Sequence, residues 1–529
     1  MLKSSIKKIK YFSNIFFENY AGLDEAAELE LHNLALNSCL RFQEVIPEKY
    51  KDYRLENIIL AKACSYHTNI DKSLRQYFYI NNAIKRILIS KSVSRLFASI
   101  IVDTKDKGLH QSMKDKQYEE FTIEAASMTE PNDSVTDILL FSSQLSHVKI
   151  FDSYLDKSKI TNYQLLLPKR LQSMLSRMNF QDSRIIYFED FIEEKDKSDL
   201  TFYQEEFQQI FKEKEKNIVS IFNLLGKDFF ISQKPGIENI FKFLIPQSLL
   251  YAKTFKKILK IKKPKKVLGV RPRRIYDRAM FQVSKSLDIK TYLIFHSTIG
   301  ASHRELWTSG IYNDIDHIFG WGKKHNELIK SDKLSKQVYF EEIGSPMFNM
   351  PPKNKDFVHK APKVIYASTR NDKSIVFALT KAKKLINEIS ITLKVHPGEP
   401  TPDYINDDFF TIESGDFPIE DILENYDIFI TSYSGSHIAA MCLGLPVLFA
   451  PFYFQFPQDL QSLYGINKET LPCAYAKNEK ELLKILNKVI NDEKYRNCLI
   501  SDQTNYLTEL LANHKSEKSV QLIDKRLLS

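Results

Sequence analysis

A histidine and a proline close a short apolar run in the segment LKVHPGEP, residues 393–400. The residues before them alternate as in a buried strand, and Pro397 cannot donate the next hydrogen bond of a β-ladder, so the strand is expected to end there. His396 is thereby predicted at the carboxyl end of a strand, which is where open α/β sheets bind ligands. An imidazole in that place can donate to a phosphate oxygen or protonate a leaving phosphate group.

A second group of polar side chains follows an apolar run in YDIFITSYSGSHIAAMCLGLPVLFAP, residues 426–451. The pattern predicts a buried strand, a tight turn and a helix. The turn contains Ser432, Ser434, Gly435 and Ser436. Hydroxyl and backbone N–H groups at the start of a helix, together with the helix dipole, favour phosphate. Helix capping alone needs fewer hydroxyl groups, so phosphate binding is the favoured interpretation. Since the turn follows His396 by one strand–helix–strand step, both are expected to face one cleft.

Strand ends in the first half of the chain carry further candidates. The segment LIFHSTIGASHRELW ends a buried run at His296, and Ser297 and Thr298 follow, so these residues are predicted to face the cleft from the opposite side. A capped loop is the simpler alternative for them. The segment GVRPRR, at another strand end, supplies three arginines able to clamp an acidic substrate, which are Arg271, Arg273 and Arg274.

Two more strand ends are weaker candidates. FSSQLSH contributes Ser142 and Ser143, with His147, to substrate binding. YFEDF contributes Glu189 and Asp190, and a carboxylate there is placed to deprotonate an attacking hydroxyl group. The catalytic candidates are therefore His396, His296, Glu189 and Asp190.

Short apolar strands alternate with helical segments from residue 130 onwards, which predicts βαβ units and parallel sheets. We therefore predict an α/β fold with two doubly wound, Rossmann-like domains facing a cleft, and an extra helical region at the amino terminus. An acidic, lysine-rich stretch at 193–217 predicts a long exposed helix inserted in the first half. In chain order the predicted divisions are an N-terminal helical accessory region (1–127), a Rossmann-like acceptor domain (128–345), a proline-rich linker (346–362), a Rossmann-like donor domain (363–500) and a C-terminal helical tail (501–529).

Composition limits the classes of function. The 529 residues are 43% hydrophobic and 27% charged, an ordinary globular mixture. The five cysteines lack the spacing of a metal site or a disulfide framework, which favours a reducing cytoplasm and predicts no metal. No apolar run is long enough to span a bilayer, and the amino-terminal segment lacks the apolar core of a signal peptide. The motifs of dinucleotide-binding oxidoreductases, P-loop NTPases and GxSxG hydrolases are missing.

Basic segments leave one question about partners open. The net charge is +9, and lysines are mixed with apolar residues at 1–20 and 254–266. Both segments could lie on an anionic membrane surface, although solvated lysines are the favoured interpretation for each segment alone. Nucleic acid is not predicted as a partner, because arginine is sparse and the chain has no nucleic-acid motif.

The second half of the chain resembles the carboxy-terminal domain of GT-B glycosyltransferases that build bacterial surface polysaccharides. Over about residues 265–455, the resemblance is carried by the order of GSPMFN, KVIYASTRND, LKVHP and YDIFITSYSGSHIAAMCLGLPVLF. The His-Pro pair and the serines resemble the HP and SS motifs of bacterial sialyltransferases and polysialyltransferases. Capsule Kdo transferases and the teichoic-acid glycerophosphotransferases, which use CDP-glycerol, show a similar layout. In the sialyltransferases these residues contact the cytidine-monophosphate part of a CMP-sugar, which implies that role for His396, Pro397, Ser434 and Ser436, and in second place for Ser432.

This sequence departs from the resembling families at two places. Many GT-B enzymes that use nucleotide-diphosphate sugars carry a Glu in the first turn after the serines, where it holds the ribose. Here that place has Ala439 or Ala440, which favours a cytidine nucleotide over a UDP-sugar. The D/E-D/E-G general-base motif of the sialyltransferases is also missing, so Glu189 and Asp190 stand in for the base.

The resulting prediction is a metal-independent glycosyltransferase that takes a nucleotide-sugar as co-substrate, with no other cofactor. The donor is expected to be a CMP-sugar such as sialic acid or Kdo, and the acceptor a capsular polysaccharide or lipopolysaccharide glycan. A cytoplasmic protein lying on the inner face of the inner membrane fits this role. One alternative is a CDP-glycerol-type polyol-phosphate transferase that uses His296 and His396. Another is a non-catalytic GT-B-like scaffold of polysaccharide assembly. The missing acidic residues after the serines count against an epimerase.

Overall fold

The computed structural model describes most of the chain from residue 135 onwards. The described ranges are 135–177, 182–221, 237–270, 274–295, 314–323, 338–350, 361–368, 372–386, 389–395, 410–413, 419–432, 434–452 and 474–529, with short pieces between them and at 45–47 and 49–50. The predicted helices of the accessory region 1–127 lie almost entirely outside the described residues and stay a prediction.

The described elements alternate between strands and helices. In chain order the strands are β1 Ile138–Phe141, β2 Tyr163–Leu167, β3 Ile185–Tyr187, β4 Asn223–Leu224, β5 Lys227–Asp228, β6 Lys266–Gly269, β7 Lys290–Ile294, β8 His317–Gly320, β9 Tyr339–Glu342, β10 Lys363–Ala367, β11 Ser390–Lys394, β12 Thr411–Glu413, β13 Ile428–Thr431 and β14 Val447–Phe449. The helices are α1 Leu145–Leu155, α2 Gln172–Arg177, α3 Glu194–Ile221, α4 Ile245–Lys262, α5 Ile275–Ser286, α6 Lys373–Leu385, α7 His437–Cys442, α8 Glu479–Asn491, α9 Glu493–Leu510 and α10 Ser516–Leu528. Short 3-10 turns cover Lys169–Leu171, Phe188–Phe191, Ile419–Asp421 and Leu423–Asn425, and a π-helical turn covers Ile240–Leu244.

A parallel sheet forms the core of the first half, with the strand order β3-β2-β1-β6-β7-β8-β9. Its inner strands are buried on both faces, which is why β1 reads ILLF and β2 reads YQLLL without polar alternation. The order reverses between β1 and β6. The carboxyl ends of these two strands therefore flank the point where such sheets bind ligands.

The second half forms a smaller parallel sheet with the order β12-β11-β10-β13-β14. Its order reverses between β10 and β13, so its ligand-binding edge is predicted at the carboxyl ends of those strands. We call the seven-stranded sheet with its helices the first lobe and the five-stranded sheet with its helices the second lobe. The two sheets confirm the predicted α/β fold with two doubly wound, Rossmann-like units, the two-lobed layout of the GT-B fold.

The predicted inserted helix is present as α3, which is 28 residues long. One face is charged and exposed, while an apolar stripe that includes Phe207, Phe211 and Ile218 is buried. This stripe packs in the core with the π-helical turn and α4, so the helix is amphipathic rather than fully exposed. Tyr50 reaches the same helix: its ring lies 4.9 Å from that of Phe207, and its hydroxyl donates to Glu206.

The basic segment at 254–266 belongs mainly to α4 and β6, and its apolar side chains are not exposed. Phe255, Ile258 and Leu259 are buried in the core, whereas Lys256 and Lys260 face solvent. A membrane-surface helix needs its apolar face outward. Because those residues are used for packing, the segment offers no apolar face to a membrane, and contact of its lysines with an anionic membrane surface stays a prediction. In the part of the chain that the structure describes, none of the helices combines the length and apolar character needed to cross a bilayer.

The predicted C-terminal tail divides between the lobes. On the second lobe, the Gln503 side chain of α9 accepts from the Val447 N–H at 3.3 Å and donates to the Val447 carbonyl at 2.8 Å. Helix α10 instead docks on the first lobe, where Asp524 accepts hydrogen bonds from the first-lobe segment 154–159. Its donors are the Tyr154 hydroxyl (2.7 Å), the Ser158 hydroxyl (2.6 Å) and the Lys159 N–H (2.8 Å).

The chain therefore crosses between the lobes twice, once after β9 and once after α9. The two crossovers are bonded to each other. The Asn513 side chain donates to the Ile343 carbonyl at 2.7 Å, and the Met350 N–H donates to the His514 carbonyl at 2.9 Å. The two crossovers thus run side by side and are bonded to each other. The exact domain limits given above remain predictions.

Candidate functional site

The serine loop, residues 432–436, directly follows β13 at the edge where the order of the second sheet reverses. The neighbouring strand β10 runs parallel to β13, with Ala367 opposite Thr431, so both strands end at this edge. The sequence predicted the strand and the loop, and the strand order adds that the loop lies at the binding crevice of the sheet.

Hydrogen bonds within the serine loop fix its shape. The Ser434 N–H donates to the Thr431 hydroxyl at 3.0 Å, and the Ser436 N–H donates to the Ser434 hydroxyl at 3.3 Å. The Ser434 hydroxyl in turn donates to that of Ser436 at 3.2 Å. Ser432 is buried, whereas Ser434 and Ser436 are half-buried. The two half-buried hydroxyl groups are therefore close together and at the surface of the crevice.

Gly435 leaves open space in front of the loop. A Cβ atom added there would have no neighbour within 4 Å, whereas at Gly269 it would lie 2.6 Å from the rings of Phe141 and Phe281. Gly435 has no positive φ, so its backbone is one that other residues can adopt. Glycine at this position is not required by packing, and a ligand can approach the loop backbone closely.

A carboxylate that the sequence analysis did not identify lies beside the serine loop. The Ser436 hydroxyl donates to Glu420 Oε1 at 3.0 Å, across 16 residues of sequence. From the sequence, an acidic residue was expected only in the helical turn after the loop, where Ala439 and Ala440 stand instead. Because β12 and β13 belong to the same parallel sheet, the segment after β12 starts at the edge that holds the loop. The sequence pattern could therefore have predicted an acidic residue of the segment PIEDILENY beside the serine loop.

His437, which was not predicted from the sequence, supports the serine loop from its buried side. It is fully buried, its ring packs edge-on to Phe449 at 5.3 Å, and its Nδ1 lies 2.7 Å from the Ser434 carbonyl oxygen. A carbonyl oxygen only accepts, so Nδ1 carries the proton. Burial lowers the pKa of His437 to about 4, which keeps the ring neutral near pH 7. The helix that follows, α7, has only six residues, so the dipole contribution expected from the sequence is small.

The other half of the predicted phosphate site lies outside the described residues, since His396 and Pro397 are not among them. Strand β11 ends at Lys394, next to the end of β10, where the Ser368 N–H donates to the Lys394 carbonyl at 3.0 Å. The strand that leads to the His-Pro pair therefore ends at the same edge as β13, two positions from it in the strand order, with β10 between them. The role of His396 and Pro397 stays a prediction.

The first lobe places Ser142 and Ser143 at its own crevice, directly after β1. The Ser143 hydroxyl donates to Asp277 Oδ2 at 2.6 Å, and both side chains are 2% exposed. Arg170 donates to the Ser143 carbonyl at 2.8 Å. The Ser142 hydroxyl accepts from the Gln144 N–H at 3.1 Å, which shapes the turn into α1. Asp277, in the first turn of α5, was not predicted, although the preceding GVRPRR segment was.

The three arginines and the second histidine are only partly described. Arg274 precedes α5 at the end of the β6 loop and is exposed. Arg271, Arg273, His296, Ser297 and Thr298 lie outside the described residues, so their roles stay predictions.

Glu189 and Asp190 follow β3, an edge strand two positions from β1, in a turn that packs against the start of α5, where the Phe188 ring lies 5.4 Å from that of Tyr276. Glu189 is 5% exposed and accepts the Lys169 N–H at 2.7 Å, and Asp190 lies 3.6 Å from the Lys169 ammonium. Burial raises the pKa of Glu189. These contacts give both carboxylates a structural task, holding the turns after β2 and β3 together. Their use as a general base stays a prediction that this position does not favour.

An ion pair joins the two lobes beside the serine loop. Lys149 on α1, which starts just after Ser143, forms a 2.9 Å ion pair with Asp421 in the turn whose neighbour Glu420 touches the serine loop. The turn beside the serine loop thus contacts the helix that follows Ser142 and Ser143, and the prediction that the candidates of both lobes share one cleft stays a prediction. Within the described ranges, no group of three or more His, Cys, Asp or Glu side chains is arranged to hold a metal ion.

No protein family and no curated protein matches the chain in sequence. Solved structures resemble it distantly. A UDP-GlcNAc 2-epimerase from Neisseria meningitidis bound to UDP-GlcNAc is 12% identical with a TM-score of 0.48, over 74% of this chain and 99% of its own. The S. aureus MnaA–UDP structure is 10% identical with a TM-score of 0.45, over 72% and 94%. The calicheamicin glycosyltransferase CalG4 is 9% identical with a TM-score of 0.43, over 74% and 98%. The likeness extends no further than the general layout of the chain.

Proposed function

We propose that this chain is a nucleotide-sugar-dependent transferase whose donor binds the second lobe and whose acceptor binds the first. The observation that carries the proposal is the serine loop: a hydroxyl-rich loop with open space at Gly435, placed at the switch point of a doubly wound sheet and facing the crevice of a second one. Ligands of such sheets bind at this point, and the open backbone suits a phosphate group.

The donor has a defined orientation in this proposal. Glu420 lies 3.0 Å from the Ser436 hydroxyl, and a carboxylate accepts hydroxyl groups but repels phosphate. The phosphate would therefore lie on the Gly435 side of the loop, where the backbone is open and the Gly435 N–H would donate to it, and the Ser434 hydroxyl would turn from Ser436 towards it. The hydroxyl-bearing ribose or sugar would lie on the Glu420 side.

Glu420 also bears on which nucleobase the donor carries. The preference for cytidine rested partly on the lack of an acidic residue at Ala439 and Ala440, and Glu420 supplies a carboxylate at the loop from another segment. The choice of a CMP-sugar, such as a sialic acid or Kdo donor, now rests on the HP and SS resemblance alone. We retain it in the proposal on that ground, together with a capsular or lipopolysaccharide acceptor at the cytoplasmic face of the inner membrane.

The transfer step needs little beyond these groups. An acceptor hydroxyl oxygen bonds to the anomeric carbon of the sugar, and its proton passes to a general base, for which Glu189 and Asp190 are the candidates. The bond from the anomeric carbon to the phosphate oxygen breaks, and the nucleotide leaves with the electron pair. His396 would donate a proton or a hydrogen bond to the leaving phosphate. The first-lobe crevice around Ser142, Ser143 and Arg274 would hold the acceptor. Neither this step nor the donor site calls for a metal ion in the proposal.

A donor panel tests the proposal. We expect turnover with CMP-N-acetylneuraminic acid or CMP-Kdo, and loss of turnover in His396→Ala with an unchanged melting temperature. Turnover of CDP-glycerol alone would replace the sugar transferase by a polyol-phosphate transferase. Failure of CMP, CDP and UDP to bind in calorimetry would overturn the enzyme proposal and leave a scaffold.

A further inference from the structure

The turn Ile419–Asp421 carries two adjacent carboxylates whose partners lie on opposite sides of the cleft. Glu420 accepts from Ser436 in the serine loop at 3.0 Å, and Asp421 pairs with Lys149 of the first lobe at 2.9 Å. Two adjacent residues of one turn thus connect the proposed donor loop to the first lobe. No other part of the proposed mechanism uses Lys149 or Asp421.

Both ends of this connection are anchored in packed cores. On the first lobe, Val148 and Ile150 flank Lys149 in α1 and are fully buried, so the helix cannot shift without disturbing the core. On the second lobe, Ile419 and Leu423 flank the two carboxylates and are also buried. The backbones that carry Lys149 and Asp421 are therefore both fixed by packing, and the contact between the lobes at this point depends on the two side chains.

We propose that Lys149 and Asp421 are positioning residues that couple closure of the lobes to the geometry of the donor loop. The inference rests on the proposed function, since it concerns the same loop. When the ion pair is formed, the turn is held where Glu420 accepts the hydrogen bond from the Ser436 hydroxyl. The serine loop then has the geometry that binds the donor. With the pair broken, the lobes separate and the donor can enter or leave.

The strength of the pair suits a reversible contact. The Lys149 side chain is 16% exposed, but the Asp421 side chain is 54% exposed, so water and salt screen the attraction. Pairs of this kind change an equilibrium by about two- to five-fold. That is enough to bias the lobes towards closure without locking the donor in place.

Hydrogen–deuterium exchange of the full chain without ligand provides the first test. We expect Lys149→Met and Asp421→Asn to speed exchange in the peptides that cover 419–432 and α1, while the melting temperature stays the same. The matched control is Lys381→Met, which breaks the 2.6 Å pair with Glu479 between α6 and α8 inside the second lobe. It should leave both peptides unchanged. Unchanged exchange in the two interlobe variants would overturn the coupling.

Calorimetric titration with CMP and UDP provides the second test. For the nucleotide that binds, each interlobe variant should weaken affinity about two- to five-fold, and the double variant should be no weaker than either single one. Raising the salt to about 1 M should bring the wild type to the affinity of the variants, because the pair is screened. With the donor that turns over, the loss should appear in KM while kcat stays within about two-fold.

The outcomes separate this inference from the proposed function. Normal nucleotide binding in both interlobe variants, or additive losses in the double variant, would overturn the coupling and leave the transferase proposal intact. A wild type that binds neither CMP nor UDP would overturn the function. The exchange experiment would then decide by itself whether Lys149 and Asp421 hold the turn.

Discussion

A methyl group added at Gly435 would have no atom within 4 Å, so a substitution there can change ligand binding without disturbing the fold. We expect Gly435→Val to leave the melting temperature unchanged and to weaken nucleotide binding about ten-fold or more, since losing one or two phosphate hydrogen bonds costs about 1–2 kcal/mol. Calorimetric titration with CMP and UDP measures the effect.

The control for this prediction is Gly269→Ala in β6, where the new Cβ would lie 2.6 Å from two phenylalanine rings. That variant should lower stability through overpacking. Unchanged nucleotide affinity in Gly435→Val would place the phosphate elsewhere than on the serine loop.

His437 gives a second prediction at the scale of single residues, and it concerns pH. Its pKa is about 4 in the folded protein against 6.5 as the reference value, so between these pH values the unfolded chain binds the proton and the folded chain does not. The stabilising contribution is present above pH 6.5 and is lost as the pH falls to 4, by about 3 kcal/mol at most. His437→Gln should remove this part of the pH dependence.

Urea unfolding at pH 7, 5.5 and 4.5 measures the effect as a difference between the wild type and His437→Gln. Other titrating groups contribute equally to both proteins and cancel in the difference. A gap in the free energy of unfolding that does not change with pH would show that burial does not depress the pKa of His437.

At the scale of elements, the strands were predictable and their order was not. β1, β2 and β13 are apolar runs closed by polar turns, so their positions followed from the sequence. The sequence did not show that β3 is an edge strand two positions from β1, nor that Glu189 and Asp190 contact Lys169 in the turn after β2. Strand order depends on contacts between distant segments, which no local pattern contains.

The same limit explains the residues that were missed. Glu420 and Asp277 each reach the candidate site from another segment of the chain, through hydrogen bonds to Ser436 and Ser143. Each segment taken alone resembles an ordinary helix start with an acidic residue. The polar residues at strand ends were recognisable, whereas the partners that hold them required the fold.

Helix α10 yields a prediction at this scale, because Asp524 holds it to the first lobe. Asp524→Ala would leave three donors around Tyr154 and Ser158 without their acceptor. We expect a loss of about 2–4 kcal/mol in the free energy of unfolding, as for other buried networks that lose a charged acceptor. Chemical denaturation measures this loss, and hydrogen exchange should rise across α10.

The control on the same helix is Lys525→Ala, since Lys525 is exposed. It should change stability by no more than about 0.5 kcal/mol. Equal stability of the two variants would mean that α10 is held by its apolar face alone, through residues such as Val520 and Ile523.

At the scale of the whole molecule, the paired crossovers join the two lobes at one place about which the lobes can move. The Asn513 side chain bonds to the Ile343 carbonyl, and Gly344 beside it has a φ of +82°. A Cβ at Gly344 would lie 2.7 Å from the Ser519 hydroxyl of α10 and 3.1 Å from Asn513 Cβ in the other crossover, so there is no room for a side chain there. A tight joint at one end and an ion pair across the cleft at the other suit hinge closure.

A nucleotide that bridges the cleft should therefore shift the lobes towards the closed arrangement. We expect saturating CMP to reduce the radius of gyration of the wild type in small-angle scattering, and to raise stability by about 2.7 kcal/mol at 100 times its dissociation constant. Asp421→Asn, at a CMP concentration raised to the same saturation, should show a smaller reduction, because the closed state has lost its interlobe pair. A radius that stays constant while calorimetry reports saturation would mean that the donor binds the second lobe without closing the cleft. The acceptor would then have to reach the sugar across open solvent, which would remove the first lobe from the proposed chemistry.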